Sequence, residues 1–158
     1  METTSLHVLK KELSEMPPAE LVAVCIKLAK YKKENKELLG YLLFDSNYEP
    51  EYINKIKQEM DLLFTGINKG SLYIVKKNLR KILRMTNKYI KYSGQKRTET
   101  ELRIHYCLKL RQSGIRIDSG TAISNILEGQ VMKISKAISM LHEDLQHDYQ
   151  AEIRQILQ

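Results

Sequence analysis

The chain has 158 residues, 42% of them hydrophobic and 28% charged, which suits one folded domain and argues against a disordered segment. It lacks Trp and holds only three Pro and seven Gly, favouring helices over a turn-rich β architecture. The net charge of +7 is unevenly spread: residues 1–61 carry 9 basic and 11 acidic groups, residues 62–98 carry 10 and 0, and residues 99–158 carry 7 and 8.

Thr4 or Ser5 caps a first helix carrying Leu6, Leu9 and Leu13. Met16-Pro17-Pro18 ends it and opens a second, because proline is well tolerated in a first helical turn. That second helix puts Leu21, Val22, Cys25, Leu28 and Ala29 on one face and runs to about residue 33. The polar KKENKE reads as a break, and Leu38–Phe44 as a short, very apolar third helix. Asp45-Ser46-Asn47 is a turn cluster. Pro50, between Glu49 and Glu51, starts a fourth helix with Ile53, Ile56, Met60, Leu63 and Phe64 inward and a stop near Gly66.

Residues 71–92, SLYIVKKNLRKILRMTNKYIKY, form the most informative stretch. Leu72, Val75, Leu79, Ile82, Thr86 and Ile90 recur at the period of one helix face turned to a core. Lys77, Arg80, Lys81, Arg84, Lys88 and Lys91 keep the same rhythm on the opposite face. Ser71 is placed to cap the helix and Gly94 to end it in a left-handed conformation. Beyond a polar linker, Thr98 and Glu101 match a capping box for a helix over about 99–113. That helix is apolar around much of its girth, with Leu102, Ile104, Tyr106, Cys107, Leu108 and Leu110, so it belongs at the centre of the packing. IRIDSG alternates too briefly to establish a strand. From Thr121 to Leu157 the apolar spacing averages about 3.67 residues, a bundle helix and not a left-handed coiled coil. Unbroken, that segment would extend ~55 Å. The expectation is a break around Gln146-His147-Asp148, the alternative being a projecting end that dimerises.

The layout predicts an all-α fold: a single domain over 1–158, of six to eight helices in antiparallel hairpins, a bundle or a short solenoid-like array. LKKELSEMPPAELVAVCIKLAKYKKENKELLGYLLF and the apolar helix after it resemble an uncharacterised family of small all-helical bacterial proteins. The resemblance covers about a third of the chain and implies the helical fold, with no activity, cofactor or site attached.

Cys25 and Cys107, 82 positions apart in apolar helical settings, fit buried reduced thiols better than a disulfide framework or zinc site. The first apolar run, Leu21–Ile26, follows Glu12, Glu15 and Glu20, which does not fit a secretory signal. No apolar run approaches the ~20 residues a bilayer span needs. The expectation is a soluble, cytoplasmic protein without a membrane span.

Chemical motifs are scarce, and the reading is a non-enzyme with no catalytic residue, metal or cofactor assigned. His142 and His147 lie five apart, so they diverge on a helix instead of sharing the face that i, i+4 zinc ligands use. GINKGS before the basic helix lacks the Gly-Lys-Ser/Thr ending of a phosphate loop and reads as a turn. His105 reads as a partly buried structural histidine, with a pocket around residues 102–110 as the remote enzymatic alternative. The basic helix carries the functional content. Lys77, Arg80, Lys81, Arg84, Lys88 and Lys91, with Tyr73 as a stacking ring, form a candidate surface for RNA or DNA ahead of an acidic protein. Tyr89 and Tyr92 add rings or serve packing. The competing readings are an assembly protein forming a homodimer through residues 121–157 and a solvated basic face with no binding role.

Overall fold

The computed structural model describes residues 3–157, of which 81% are helical, with no strand among them. The chain divides into two compact units, one ending at Asp45 and one beginning at Ser46.

In the first unit, Ser5 caps α1 (Leu6–Glu15) by accepting from the Val8 N–H at 3.4 Å. Pro18 opens α2 (Pro18–Tyr31) as its first helical residue. The chain then breaks only at Lys32, which is extended at φ −141°, so α3 (Lys33–Gly40) begins inside the stretch read as a break. KENKE is helical for local reasons: Glu34 sits in the first turn, Lys33 and Glu37 pair at i, i+4, and Asn35 donates to the Leu28 carbonyl of α2 at 2.9 Å. A wider π-helical turn, Tyr41–Asp45, continues α3 and covers most of the apolar run. None of the three α-helices buries a residue fully, and Tyr41 is the buried apolar side chain of this unit among the described residues. Leu6, Val22, Tyr31 and Phe44 are each more than 60% exposed. Cys25, expected to be buried, is only half-buried, because the helix face it shares has little packed over it.

The second unit has a continuous core. Helices α4 (Glu49–Thr65), α5 (Leu72–Ser93), α7 (Ala122–Ile138) and α8 (Glu143–Leu157) all pack against α6 (Lys96–Gln112). Its Leu102, Ile104, Tyr106, Cys107 and Leu110 are at most 1% exposed, which explains a helix apolar around its girth. Burial on this scale contributes roughly 1.5–3 kcal/mol for each large side chain. The Phe64 and Tyr106 rings lie 5.4 Å apart, and the Tyr106 hydroxyl donates to the Leu79 carbonyl, so the one polar atom of that ring is satisfied.

Two sequence expectations move. Helix α6 starts at Lys96, so Thr98 and Glu101 lie inside it and form no capping box. Their side chains are drawn into tertiary contacts instead: Thr98 donates to Glu49 of α4, while Glu101 accepts from Lys57, Arg97 and Tyr149. The C-terminal segment breaks between Ile138 and Glu143, earlier than residues 146–148. There the Ser139 hydroxyl donates to the Lys136 carbonyl, the Met140 and Leu141 backbone N–H groups donate to the Ala137 and Ile138 carbonyls, and the Gln146 side-chain amide donates to the Leu141 carbonyl, closing the turn. Helix α8 folds back, with Tyr149 and Ile156 buried and Arg111 donating to the Ile156 carbonyl at 2.8 Å.

Candidate nucleic-acid interface

Helix α5 is held by its apolar stripe. Val75, Leu79, Ile82, Thr86 and Ile90 are buried, and Thr86 returns its hydroxyl to the Ile82 carbonyl. Leu72, counted with this stripe in the sequence, is 70% exposed: it is the first helical residue and lines a surface hollow instead. Gly94 closes the helix at φ 67°, where a side chain would be strained, and its N–H bonds the Ile90 carbonyl. Ser71 precedes the helix but makes no side-chain cap.

At about 100° per residue, Lys77, Arg80, Lys81, Arg84, Lys88 and Lys91 fall within a sector about 100° wide, opposite Leu79. Lys77, Arg80, Lys81, Arg84 and Lys91 are exposed, and none of the described residues gives them an acidic partner. Lys88 is half-buried with its Nζ 4.7 Å from the centre of the Tyr89 ring. Tyr73 falls in the same sector and is 68% exposed. The other two rings belong to packing: Tyr89 meets Tyr52 and Tyr92 edge-on at 6.3 and 6.0 Å, and Tyr52 donates to the Tyr89 carbonyl.

The helix is clamped from its other sides. Arg103 donates to Glu99, to Asn87 at the edge of α5, and to Gln130 of α7, at 3.0, 3.0 and 2.8 Å. Burial would raise the Glu99 carboxyl, but bonds from Lys96 and Arg103 outweigh it and hold the group below its ordinary range. Ser93, the last residue of α5, donates to Glu49 of α4. The basic face thus stands on a helix fixed to α4 and α6.

Sequence reading missed one part of this surface. Beyond the first turn of α5, Leu72, Tyr73 and Lys76 meet Arg116, Asp118, Thr121 and Ile123 around a hollow of about 390 Å³. At least 40 positions separate the two halves in sequence, so only the fold brings them together.

Near His105 the structure supports a structural role. Its Nε2 lies 2.6 Å from Asp61, whose other oxygen meets Lys109 at 3.2 Å. Burial lowers the imidazole pKa more than Asp61 raises it, so a neutral ring donating to the carboxylate fits neutral pH. An open hollow of about 410 Å³ lies beside Asp61, Lys69 and Lys109, but His105 does not line it. Cys107 is fully buried and its thiol is pushed up to about 12, so it stays protonated near neutrality. Among the described residues, no group of three His, Cys, Asp or Glu is placed to hold a metal ion, and no helix is long and apolar enough to cross a membrane. His142 and His147 both lie on exposed surface.

No protein-family model matches the chain, and neither a curated protein nor a solved structure does.

Proposed function

We propose that this protein is a non-enzymatic helical interaction module whose α5 face binds a polyanion, with RNA or DNA ahead of an acidic protein. One observation carries the reading: six cations on a single helix sector, five of them without an acidic partner among the described residues. Between Lys77 and Lys91 the face extends ~21 Å at the helical rise, room for several phosphates spaced ~3.4 Å along a duplex strand. The cations sit on a fixed helix, so binding spends little entropy on ordering the backbone beneath them.

Fluorescence anisotropy with labelled RNA and DNA oligonucleotides at ~50 mM salt tests it, since phosphate contacts are strong there. Wild type binds, with affinity falling steeply as salt rises. Lys77→Glu combined with Arg84→Glu abolishes binding while the circular dichroism spectrum is unchanged. Absence of any wild-type binding to either nucleic acid under those conditions removes the reading. Retention of an acidic protein by the same face would then take its place.

A further inference from the structure

We propose that the hollow beside Tyr73 receives an unstacked base of a single strand whose phosphates run along α5. This rests on the polyanion reading and sharpens it to single-stranded nucleic acid. Tyr73 belongs to both features: it falls in the cationic sector of α5 and lines the hollow. From Tyr73 to Lys91 the helix rises ~27 Å, so a strand lying on the cations ends at the hollow.

The lining suits a planar aromatic group tethered to a phosphate. Leu72, Tyr73 and Ile123 supply apolar and ring surface, and Leu72 and Tyr73 are 70% and 68% exposed. Lys76 places positive charge at the same hollow, while the charge of Arg116 is matched there by Asp118. The polar groups opposite are already engaged. Arg116 holds Asp118 at 2.8 Å, while the Thr121 hydroxyl donates to the Asp118 carbonyl and accepts from the Ser124 N–H. A volume of about 390 Å³ lies within the ~300–1,000 Å³ of small-molecule sites and is ample for a base. Every base has a π-face, so stacking there is tolerant of sequence. A duplex keeps its bases stacked inside and offers none to the hollow, so Tyr73 separates single strands from duplex while the cations do not.

The test uses the full chain and three probes: a fluorescein-labelled 12-nucleotide single-stranded DNA of mixed sequence, the same sequence as a blunt duplex, and inorganic polyphosphate as competitor. Tyr73→Ala is expected to weaken single-strand binding about tenfold or more. The same change leaves duplex affinity, polyphosphate competition and the salt slope unaltered. Tyr73→Phe keeps wild-type affinity, because stacking needs the ring and not the hydroxyl. Lys77→Glu with Arg84→Glu loses all three probes. If Tyr73→Ala binds the single strand like wild type, or loses duplex binding equally, the hollow takes no base and the polyanion reading stands alone. If wild type binds none of the three at ~50 mM salt, both readings fall together.

Discussion

Helices α5 and α6 follow one another in the chain, pack side by side and are both basic, yet they use their charges in opposite ways. On α6 every cation is engaged: Lys96 with Glu99, Arg97 with Glu101, Arg103 with Glu99, Lys109 with Asp61, and Arg111 with a backbone carbonyl. On α5, Lys77, Arg80, Lys81, Arg84 and Lys91 have no such partner among the described residues. Like charges at i, i+4, such as Lys77 with Lys81 and Arg80 with Arg84, each destabilise a helix by about 0.2–0.5 kcal/mol. The buried stripe from Val75 to Ile90 offsets that repulsion. Charge that serves the fold is matched within the chain, whereas unmatched charge carries a standing cost that only solvent or an outside partner relieves.

The contrast breaks most visibly at Arg103. Arg103→Ala leaves Glu99, Asn87 and Gln130 without their shared donor, and stability is expected to fall by about 3–5 kcal/mol in urea melts. A loss under ~1 kcal/mol would mean the network contributes little beyond packing. Next comes Glu101→Gln, which weakens the links to Lys57 at 2.9 Å and Arg97 at 3.1 Å, with an expected cost of about 1–2 kcal/mol. An unchanged urea midpoint would place this pair with surface ion pairs of no consequence.

Acidification probes the same matched charges together. Burial keeps the folded His105 below its ordinary 6.5, so the unfolded chain takes up that proton first and stability declines as pH drops below about 6.5. Burial alone would raise Glu101, Glu99 and Asp61, but their cationic and His105 partners hold each carboxyl low. The unfolded glutamates gain protons first, at about their ordinary 4.5, so a second decline follows below that pH. Urea midpoints measured from pH ~8 to ~4 resolve the two limbs, and His105→Gln is expected to remove the upper one. A profile flat down to about pH 5 would contradict the His105 assignment.

The smallest stability effect belongs to α5. Lys77→Glu with Arg84→Glu is expected to leave stability unchanged or raise it by up to about 1 kcal/mol, because it removes repulsion and touches no internal partner. A drop above ~1 kcal/mol would mean that these cations serve the fold after all.

The difference between the two helices was half legible in the sequence. The α5 stripe and its cationic face were readable because both depend only on helical period, and the period survives folding. Gly94 was readable for a similar reason, since a left-handed turn after a helix favours glycine. The pairings of α6 were not, because Lys57 with Glu101 and Asp61 with Lys109 are separated by more than 40 residues. The same long-range contacts took Thr98 and Glu101 out of the cap the local pattern offered. Likewise, Tyr73 was visible as an aromatic residue on a basic face, but the hollow it lines needs Arg116 and Ile123 from beyond α6. The third helix expected at Leu38–Phe44 starts earlier, at Lys33, because the polar residues before it carry an i, i+4 charge pair that is present in the sequence.

The first unit, up to Asp45, has helices of 10, 14 and 8 residues whose side chains bury almost nothing. Isolated helices below ~12–15 residues are marginal in water, so these are expected to open by local fluctuation. Their amide protons are expected to exchange with solvent early, and those of Leu79, Leu102 and Tyr106 late. On heating, the signal from residues 6–45 is expected to decline gradually and that from residues 46–157 to drop in one cooperative step. A protease added to the native protein is therefore expected to cut first within the leading helices and to leave a resistant fragment that begins near Ser46.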